Sequence, residues 1–136
     1  MDLFKSLTVA ASGLRAQAGR MRVIAENIAN AETTATTKGG DPYKRKVPTF
    51  QAALDKEMDV NTVQLGRVKR SDAAFRKQFE PGHPMADAEG YVKKPNVDSM
   101  IEMVDMREAQ RSYEANLNVV SSTRRIIART LDILRA

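Results

Sequence analysis

Cysteine and tryptophan are absent from this chain of 136 residues, and histidine occurs once. The missing thiols exclude disulfide scaffolds, thiol nucleophiles and cysteine zinc sites. A single histidine, His83, cannot build a multi-histidine metal site within one chain. Aromatic residues make up only 5%, so Leu, Ile, Val, Met and Ala must fill the core. No apolar run approaches the ~20 residues that span a bilayer as a helix. A cleavable secretory signal is also missing, because Met1 to Ala18 intersperses its apolar residues with Lys5, Ser6, Ser12, Arg15 and Gln17. The expectation is a cytoplasmic chain, or one exported by a route that uses no such signal. The length suits one domain, or a small one with extensions.

Charge of one sign is not concentrated either. The 22 Lys and Arg exceed the 17 Asp and Glu, for a net +5. Residues 1–31 carry four basic and two acidic side chains, 32–90 ten and nine, and 91–136 eight and six. A nucleic-acid domain gathers its cations on one stripe or face. The densest run here, Lys44-Arg45-Lys46, is short and reads as a solvated strand or loop.

What is present is helical periodicity at both ends. Leu7, Leu14, Met21 and Ile28 recur every seven residues, with Leu3, Ala10, Ile24 and Ala31 on the adjoining seam and Gln17 breaking it. Phe4, Ala11, Ala18 and Ala25 lie beside that seam as a mostly small face. Gly13 and Gly19 each cost about 1 kcal/mol relative to Ala in a helix interior, so this helix needs a partner. Toward the carboxy terminus, Pro95-Asn96 predicts a helix start with Asn96 as the cap. Beyond it, Met106, Tyr113, Val120, Ile127 and Leu134 form an unbroken series, and Met103, Gln110, Leu117, Arg124 and Leu131 a companion one. Val119, Ile126 and Ile133 widen the stripe. Acids sit early (Asp98, Glu102, Asp105, Glu108) and arginines late (Arg124, Arg125, Arg129, Arg135), which complements the helix dipole.

The middle, residues 32–95, loses this period. A threonine-rich stretch runs into Gly39-Gly40-Asp41-Pro42, a flexible polar loop. Tyr43 to Phe50 predicts an edge strand because of Pro48. Phe50 to Met58 predicts a short helix, and Thr62 to Lys69 a strand with a bulge at Gly66. Phe75 and Phe79 suit a helix turn or one face of a strand. Pro81-Gly82-His83-Pro84 and Glu89-Gly90 mark turns. The fold expected is mainly α: two long terminal helices (1–31 and 96–136) forming an antiparallel coiled-coil pair, with a small β-rich insert (32–95) between them.

Lengths argue for assembly. At 1.5 Å per residue the helices span roughly 43 and 60 Å, whereas a globule of this size measures roughly 37 Å across. A two-helix hairpin has no third element to bury the outer flanks, expected at Val9 and Val23 on one helix and Val119, Ile126 and Ile133 on the other. Leaving several such side chains wet forgoes several kcal/mol at about 25 cal/mol per Å2. Burial against neighbouring copies or homologous chains resolves this.

Particular segments carry a family resemblance. Ala11-Ser12-Gly13-Leu14-Arg15-Ala16-Gln17, and then Arg20-Met21-Arg22-Val23-Ile24-Ala25-Glu26-Asn27-Ile28-Ala29-Asn30-Ala31-Glu32-Thr33, resemble the amino-terminal signature of bacterial flagellar rod and hook proteins. Asp41-Pro42-Tyr43-Lys44-Arg45-Lys46, Pro81-Gly82-His83-Pro84-Met85-Ala86-Asp87 and Gly90-Tyr91-Val92-Lys93-Lys94-Pro95-Asn96-Val97 are similar to the short proximal-rod branch of the flagellar basal-body rod family. So are Glu102-Met103-Val104-Asp105-Met106 and Arg111-Ser112-Tyr113-Glu114-Ala115-Asn116. The threonine-rich stretch before Tyr43 departs from many relatives.

The resemblance implies a non-enzymatic axial subunit of the flagellar basal body, in the rod that crosses the periplasmic space. It implies paired terminal helices lining the inner core, an insert facing outward, and uncleaved passage through the flagellar type III export apparatus. The partners implied are copies of itself, other rod proteins, the export apparatus and the basal-body base. No cofactor, metal, nucleic acid or direct membrane span is expected. The rival readings are another rod protein of the same family, a basic nucleic-acid-binding helical protein and, more remotely, a small enzyme on a helical bundle.

The residues expected to carry subunit and helix packing are Leu7, Leu14, Met21, Ile24, Asn27, Ile28, Asn30, Met103, Met106, Tyr113, Leu117, Val120, Ile127, Leu131 and Leu134. Asn27 and Asn30 admit two roles, helix termination or a register-fixing hydrogen bond between subunits. Gln17, Gln110 and Arg124 invite the same register argument or a partly solvated seam, and Arg124 also a channel-facing place. Met100, Met103 and Met106, with Met21 opposite, read as adaptable packing. Tyr113 packs its ring and keeps its hydroxyl wet or bonded. His83 reads as part of a rigid turn.

Overall fold

Helical periodicity gives way to strands and returns, and the elements follow that order. A computed structural model describes residues 2–136; Met1, included in the expected 1–31 zone, lies outside the described residues. Helix α1 is Leu3–Ala29. The strands are β1 (Lys46–Val47), β2 (Phe50–Asp55), β3 (Val60–Leu65), β4 (Lys69–Arg70), β5 (Arg76–Phe79) and β6 (Tyr91–Lys94). Helix α2 is Ser99–Arg135, 37 residues without a glycine or proline. Three antiparallel two-stranded ribbons result, β1 with β4, β2 with β3, and β5 with β6. Two helices with a β-rich segment between them are therefore present, as the patterning predicts.

Several local expectations are corrected. Phe50 to Met58 is not a helix: Phe50–Asp55 pairs residue for residue with Val60–Leu65, from Phe50 opposite Leu65 to Asp55 opposite Val60. Alanine favours helix, but intrinsic propensity is a weak prior that pairing with a partner strand overrides. Asp55 Oδ1 holds the turn by accepting the Glu57 and Met58 N–H groups at 3.1 and 3.2 Å. Asp59 then adopts a φ of 47°, a left-handed conformation Asp tolerates. The Tyr43–Phe50 strand contracts to Lys46–Val47 ahead of Pro48, and the Thr62–Lys69 strand divides into β3 and β4 around Gly66. Phe79 lies in a strand. The expected turns form, and His83 sits in one, its Nδ1 accepting the Met85 N–H at 3.0 Å.

Asn96 does not cap α2. Asp98 does: its Oδ1 accepts the Met100 N–H at 2.9 Å, and its carbonyl takes the Glu102 N–H at 3.0 Å. Asn96 is used elsewhere, as described below.

The contacts cluster into two units. One comprises Met1–Met21, Thr49–Arg67 and Arg107–Ala136. Within it Arg20 lies 3.7 Å from Glu108, and Gly13 is so close to Asn116 that a Cβ there would stand 2.8 Å from its Oδ1. As α1 advances from Gly13 to Arg20, its neighbours on α2 step back from Asn116 to Glu108, so these stretches run side by side in opposite directions. The β2–β3 hairpin lies on α1: the Val63 N–H donates to Ser12 Oγ at 3.2 Å, and a Cβ on Gly19 would meet Leu65 at 3.0 Å. Gly13 and Gly19, costly to a lone helix, thus admit α2 and the hairpin. Ala10, Ser12, Ala16, Ala109 and Thr123 are buried here.

The second unit comprises Arg22–Pro48 and Val68–Met106. Its core is Val23, Ile24, Ala31, Ala86, Val92 and Val97, together with the polar residues Asn27 and Glu102. Val23 is thus buried, not on an outer flank. The face of Phe4, Ala18 and Ala25 is the exposed one.

Candidate functional site: a buried polar hub and uncovered helix faces

The last turn of α1 carries Asn27, which has no exposed surface. Its Nδ2 donates to the Lys46 carbonyl at 2.8 Å and to Glu102 Oε2 at 3.1 Å. Its Oδ1 accepts the Tyr43 hydroxyl at 2.8 Å and the Lys46 N–H at 2.9 Å. All four hydrogen-bonding positions of one amide are filled. Glu102, in the first turn of α2 and equally buried, also accepts from Arg45 Nε, and Arg45 reaches Asp105 at 3.5 Å.

Asn96 extends the hub. Its Oδ1 accepts the Arg45 N–H at 2.7 Å, and its Nδ2 donates to the carbonyls of Ser71 and Ala73 at 3.2 and 3.0 Å. Arg76 bonds the Pro95 and Ala31 carbonyls at 3.2 and 2.9 Å, so it caps the chain leaving α1. Lys46 Nζ meets Glu26 at 2.6 Å and holds that exposed carboxyl below its ordinary pKa. Burial first, and then the charges of Glu26 and Glu102, push the Tyr43 hydroxyl above its usual value.

This is a fixing device. The side-chain amide of Asn27 and the carboxylate of Glu102 are matched to partners within the chain. Among the described residues no group of His, Asp and Glu is arranged to hold a metal ion.

The second feature is what the single chain leaves uncovered. On α1, Leu7, Leu14, Met21 and Ile28 are half-buried, while Ile24 and Asn27 are buried. Asn30 is half-buried and ends the helix, its Nδ2 donating to the Glu26 carbonyl at 2.8 Å. Asn27 places all four hydrogen-bonding positions of its amide on partners within the chain. On α2, Met106, Tyr113, Val120 and Ile127 are half-buried, whereas Met103, Leu117, Leu131 and Leu134 are exposed. Val119, Ile126 and Ile133 are exposed too, as are Met100, Ile101 and Val104. Met21 and Met106 are the covered methionines of the four singled out.

The most buried row of α2 is Glu102, Ala109 and Thr123, with half-buried Asn116 in the same seven-residue series. Apolar patterning misses this row because its members are small or polar. The heptad spacing of Ala109 and Thr123 around Asn116 was the available signal. Nothing local marks Glu102, Tyr43, Arg45 or Asn96 as partners of Asn27 or of one another.

Two family profiles match the chain. Residues 7–35 match the flagella basal body rod protein family, and residues 88–133 the C-terminal family of flagellar basal body rod FlgEFG proteins. Both helices thus carry the sequence of flagellar rod-type proteins. Over 94% of its length the chain is 48% identical to the flagellar basal-body rod protein FlgC of Agrobacterium fabrum, covering 92% of that protein. It is 41% identical to the FlgC of Aquifex aeolicus and 38% identical to that of Bacillus subtilis, over 97% and 98% of its length and 97% and 99% of theirs. The chain belongs to the FlgC family of flagellar basal-body rod proteins.

Proposed function

We propose that this chain is a structural axial subunit of the flagellar proximal rod, assembling with copies of itself and with other rod proteins into the shaft that transmits torque. The observation that carries the reading is the uncovered apolar surface of α2: Leu117, Val119, Ile126, Leu131, Ile133 and Leu134 are exposed in the single chain. Several kcal/mol of apolar burial is available there at about 25 cal/mol per Å2. Family membership gives the setting in which other helices supply it. In that setting α1 and α2 form an antiparallel coiled-coil pair, and the interface residues are those of the two seven-residue series. The 32–95 insert faces outward, and the chain reaches the rod through the flagellar export apparatus without cleavage, meeting the basal-body base at one end. Stiffness follows from many parallel side-chain contacts, each small, which together resist shear. The polar hub sets the angle at which the chain leaves α1 and enters α2.

The test is complementation of a strain lacking this gene, scored by basal-body isolation and swimming. Wild-type chain recovered in purified rods, with swimming restored, is the expected result. Restored swimming with the chain absent from those rods overturns the reading.

A further inference from the structure

The two edges of the β2–β3 hairpin differ. The Gly66 N–H donates to the Thr49 carbonyl at 2.7 Å, and the register sets Phe50 opposite Leu65 and Ala52 opposite Val63. Bonded and non-bonded pairs alternate along an antiparallel ladder. Gln51, Ala53 and Asp55 therefore turn their backbone groups to β3, while Phe50, Ala52 and Leu54 turn theirs away. The same alternation turns Val63 outward on β3, where its N–H is taken by Ser12 of α1. The edge on the β2 side has no such cover. Strand β2 pairs with β3 alone, and among the described residues no hydrogen bond reaches the outward N–H and C=O groups of Phe50, Ala52 and Leu54.

That open edge lacks the usual protection. Free sheet edges are blunted by lysine, proline, a bulge or an inward charge, whereas Phe50-Gln51-Ala52-Ala53-Leu54 has no proline and no charged residue. Its pairing with β3 is unbroken. Phe50, Ala52 and Leu54 share one face of the strand, and all are exposed, Phe50 by 44% and Leu54 by 57%. The edge is also complementary to itself. Set antiparallel about Ala52, two copies bring Phe50 opposite Leu54, Ala52 opposite Ala52 and Leu54 opposite Phe50. These are the outward-turned positions of both strands, so each free N–H there meets a free C=O. A shift of the register by two residues sets Leu54 against Pro48 or Phe50 against Lys56, both outside β2.

We propose that two copies of the free chain pair through the open edges of β2, giving a four-stranded antiparallel sheet in the order β3–β2–β2–β3. Phe50 of each copy then packs against Leu54 of the other, an aromatic–aliphatic cross-strand pair. Unpaired backbone groups in an extended strand select another strand, and the uncharged, self-matching side chains select a second β2. The contact is isologous and closes on itself, so it cannot lengthen a shaft. It is a property of the unassembled chain, goes beyond the rod-subunit reading and does not rest on it.

Sedimentation equilibrium of the purified full chain, at concentrations up to about 1 mM, tests the contact. A monomer–dimer equilibrium is expected for wild type. Ala52 meets its own copy at the two-fold axis, so Ala52→Lys and Ala52→Glu each set like charges directly opposite one another. Either variant alone is expected to sediment as a monomer. Mixed in equal amounts they place opposite charges across the axis, and the dimer is expected to return. Ala52 is exposed, so urea unfolding of both variants should match wild type at dilutions where all are monomeric. A wild-type chain that stays monomeric at about 1 mM overturns the pairing. So does association equal in wild type and both variants, or a mixture that stays monomeric where wild type pairs. Recovery of the chain in basal bodies is decided independently of all these outcomes.

Discussion

Asn27 and Glu102 lie 75 residues apart in the chain, have no exposed surface, and share a hydrogen bond of 3.1 Å. The amide of one and the carboxylate of the other join the end of the first helix to the start of the second, with Tyr43, Arg45 and Lys46 completing the set. A buried polar network of this kind is stabilising only while every member is satisfied.

Asn27→Ala removes two N–H donors and an oxygen that accepts twice, and deprives a half-buried tyrosine hydroxyl, a backbone N–H, a backbone carbonyl and part of a carboxylate of their partner. The expected loss is about 2–4 kcal/mol, since each unsatisfied buried group costs about 1–3 kcal/mol and partial relaxation recovers some of it. Tyr43→Phe leaves Asn27 Oδ1 its bond from the Lys46 N–H and should cost only about 1 kcal/mol. Urea unfolding of the purified variants measures both. Equal losses would show that the amide's position is not set by this network.

Glu102→Ala is the harsher change, because it leaves Arg45 facing Asp105 alone and removes an acceptor of Asn27. Breaking one partner out of a buried ion pair costs about 3–5 kcal/mol. Arg45 is partly exposed and can turn to water, so a value near the lower end is expected. A double variant with Arg45→Met should recover part of the loss by removing the stranded cation. No recovery would place the role of Glu102 in its bond to Asn27.

Much of this architecture was legible in the sequence and some was not. Seven-residue spacing located both helices to within a few residues, and Pro81-Gly82-His83-Pro84 and Glu89-Gly90 located turns, because both signals are local. The hub was not legible beyond Asn27 itself. Glu102 reads locally as an acid complementing the helix dipole, and its partners Arg45 and Asn27, 57 and 75 residues earlier, account for its burial. Phe50 to Met58 reads as a short helix while no partner strand is known, and the pairing of Phe50–Asp55 with Val60–Leu65 is not local. Val23 reads as an outer flank when apolar residues alone define the seam, yet the close side of α1 is built from Ala10, Gly13 and Ala16.

Gly13→Ala gains about 1 kcal/mol of helix propensity, but the new methyl meets Asn116 Oδ1 at 2.8 Å. The single variant is therefore expected to be no more stable than wild type. Combined with Asn116→Ala the obstruction disappears and the propensity gain should emerge, giving a coupling of about 1 kcal/mol or more in a double-mutant cycle. Simple additivity of the two changes would mean that the helices separate enough to make room.

Asp87 holds the turn into β6 by accepting the Tyr91 N–H at 2.8 Å and the Glu89 N–H at 3.0 Å. These bonds, the one from Tyr91 foremost, keep its carboxyl below its ordinary value of 3.8. A carboxyl depressed in the folded state stabilises fully above its unfolded value, and that contribution disappears as pH falls through the folded value. Glu26, depressed mainly by the hydrogen bond from Lys46 below its ordinary 4.5, has the same sign. Stability should therefore be flat near neutrality and fall below about pH 4.5. Asp87→Asn keeps an acceptor oxygen for the turn but cannot titrate, so its acid transition should be shallower. An unchanged acid limb would locate the sensitivity in other carboxylates.

Leu117 and Val120 separate folding from assembly because they lie one turn apart but differ in cover. Leu117 is exposed and Val120 half-buried in the single chain. Leu117→Asp puts a charge where only another subunit would desolvate it, so the purified chain should unfold at nearly the wild-type urea concentration. In cells the same variant should still be exported, yet rods should not be completed and swimming should be lost. Val120→Asp charges a position already partly covered and should lower the stability of the isolated chain by about 1–3 kcal/mol as well. Normal swimming with Leu117→Asp would mean that this flank stays wet in the finished rod, and the apolar surface on which the assembly argument stands would be confined to the remaining positions of α2.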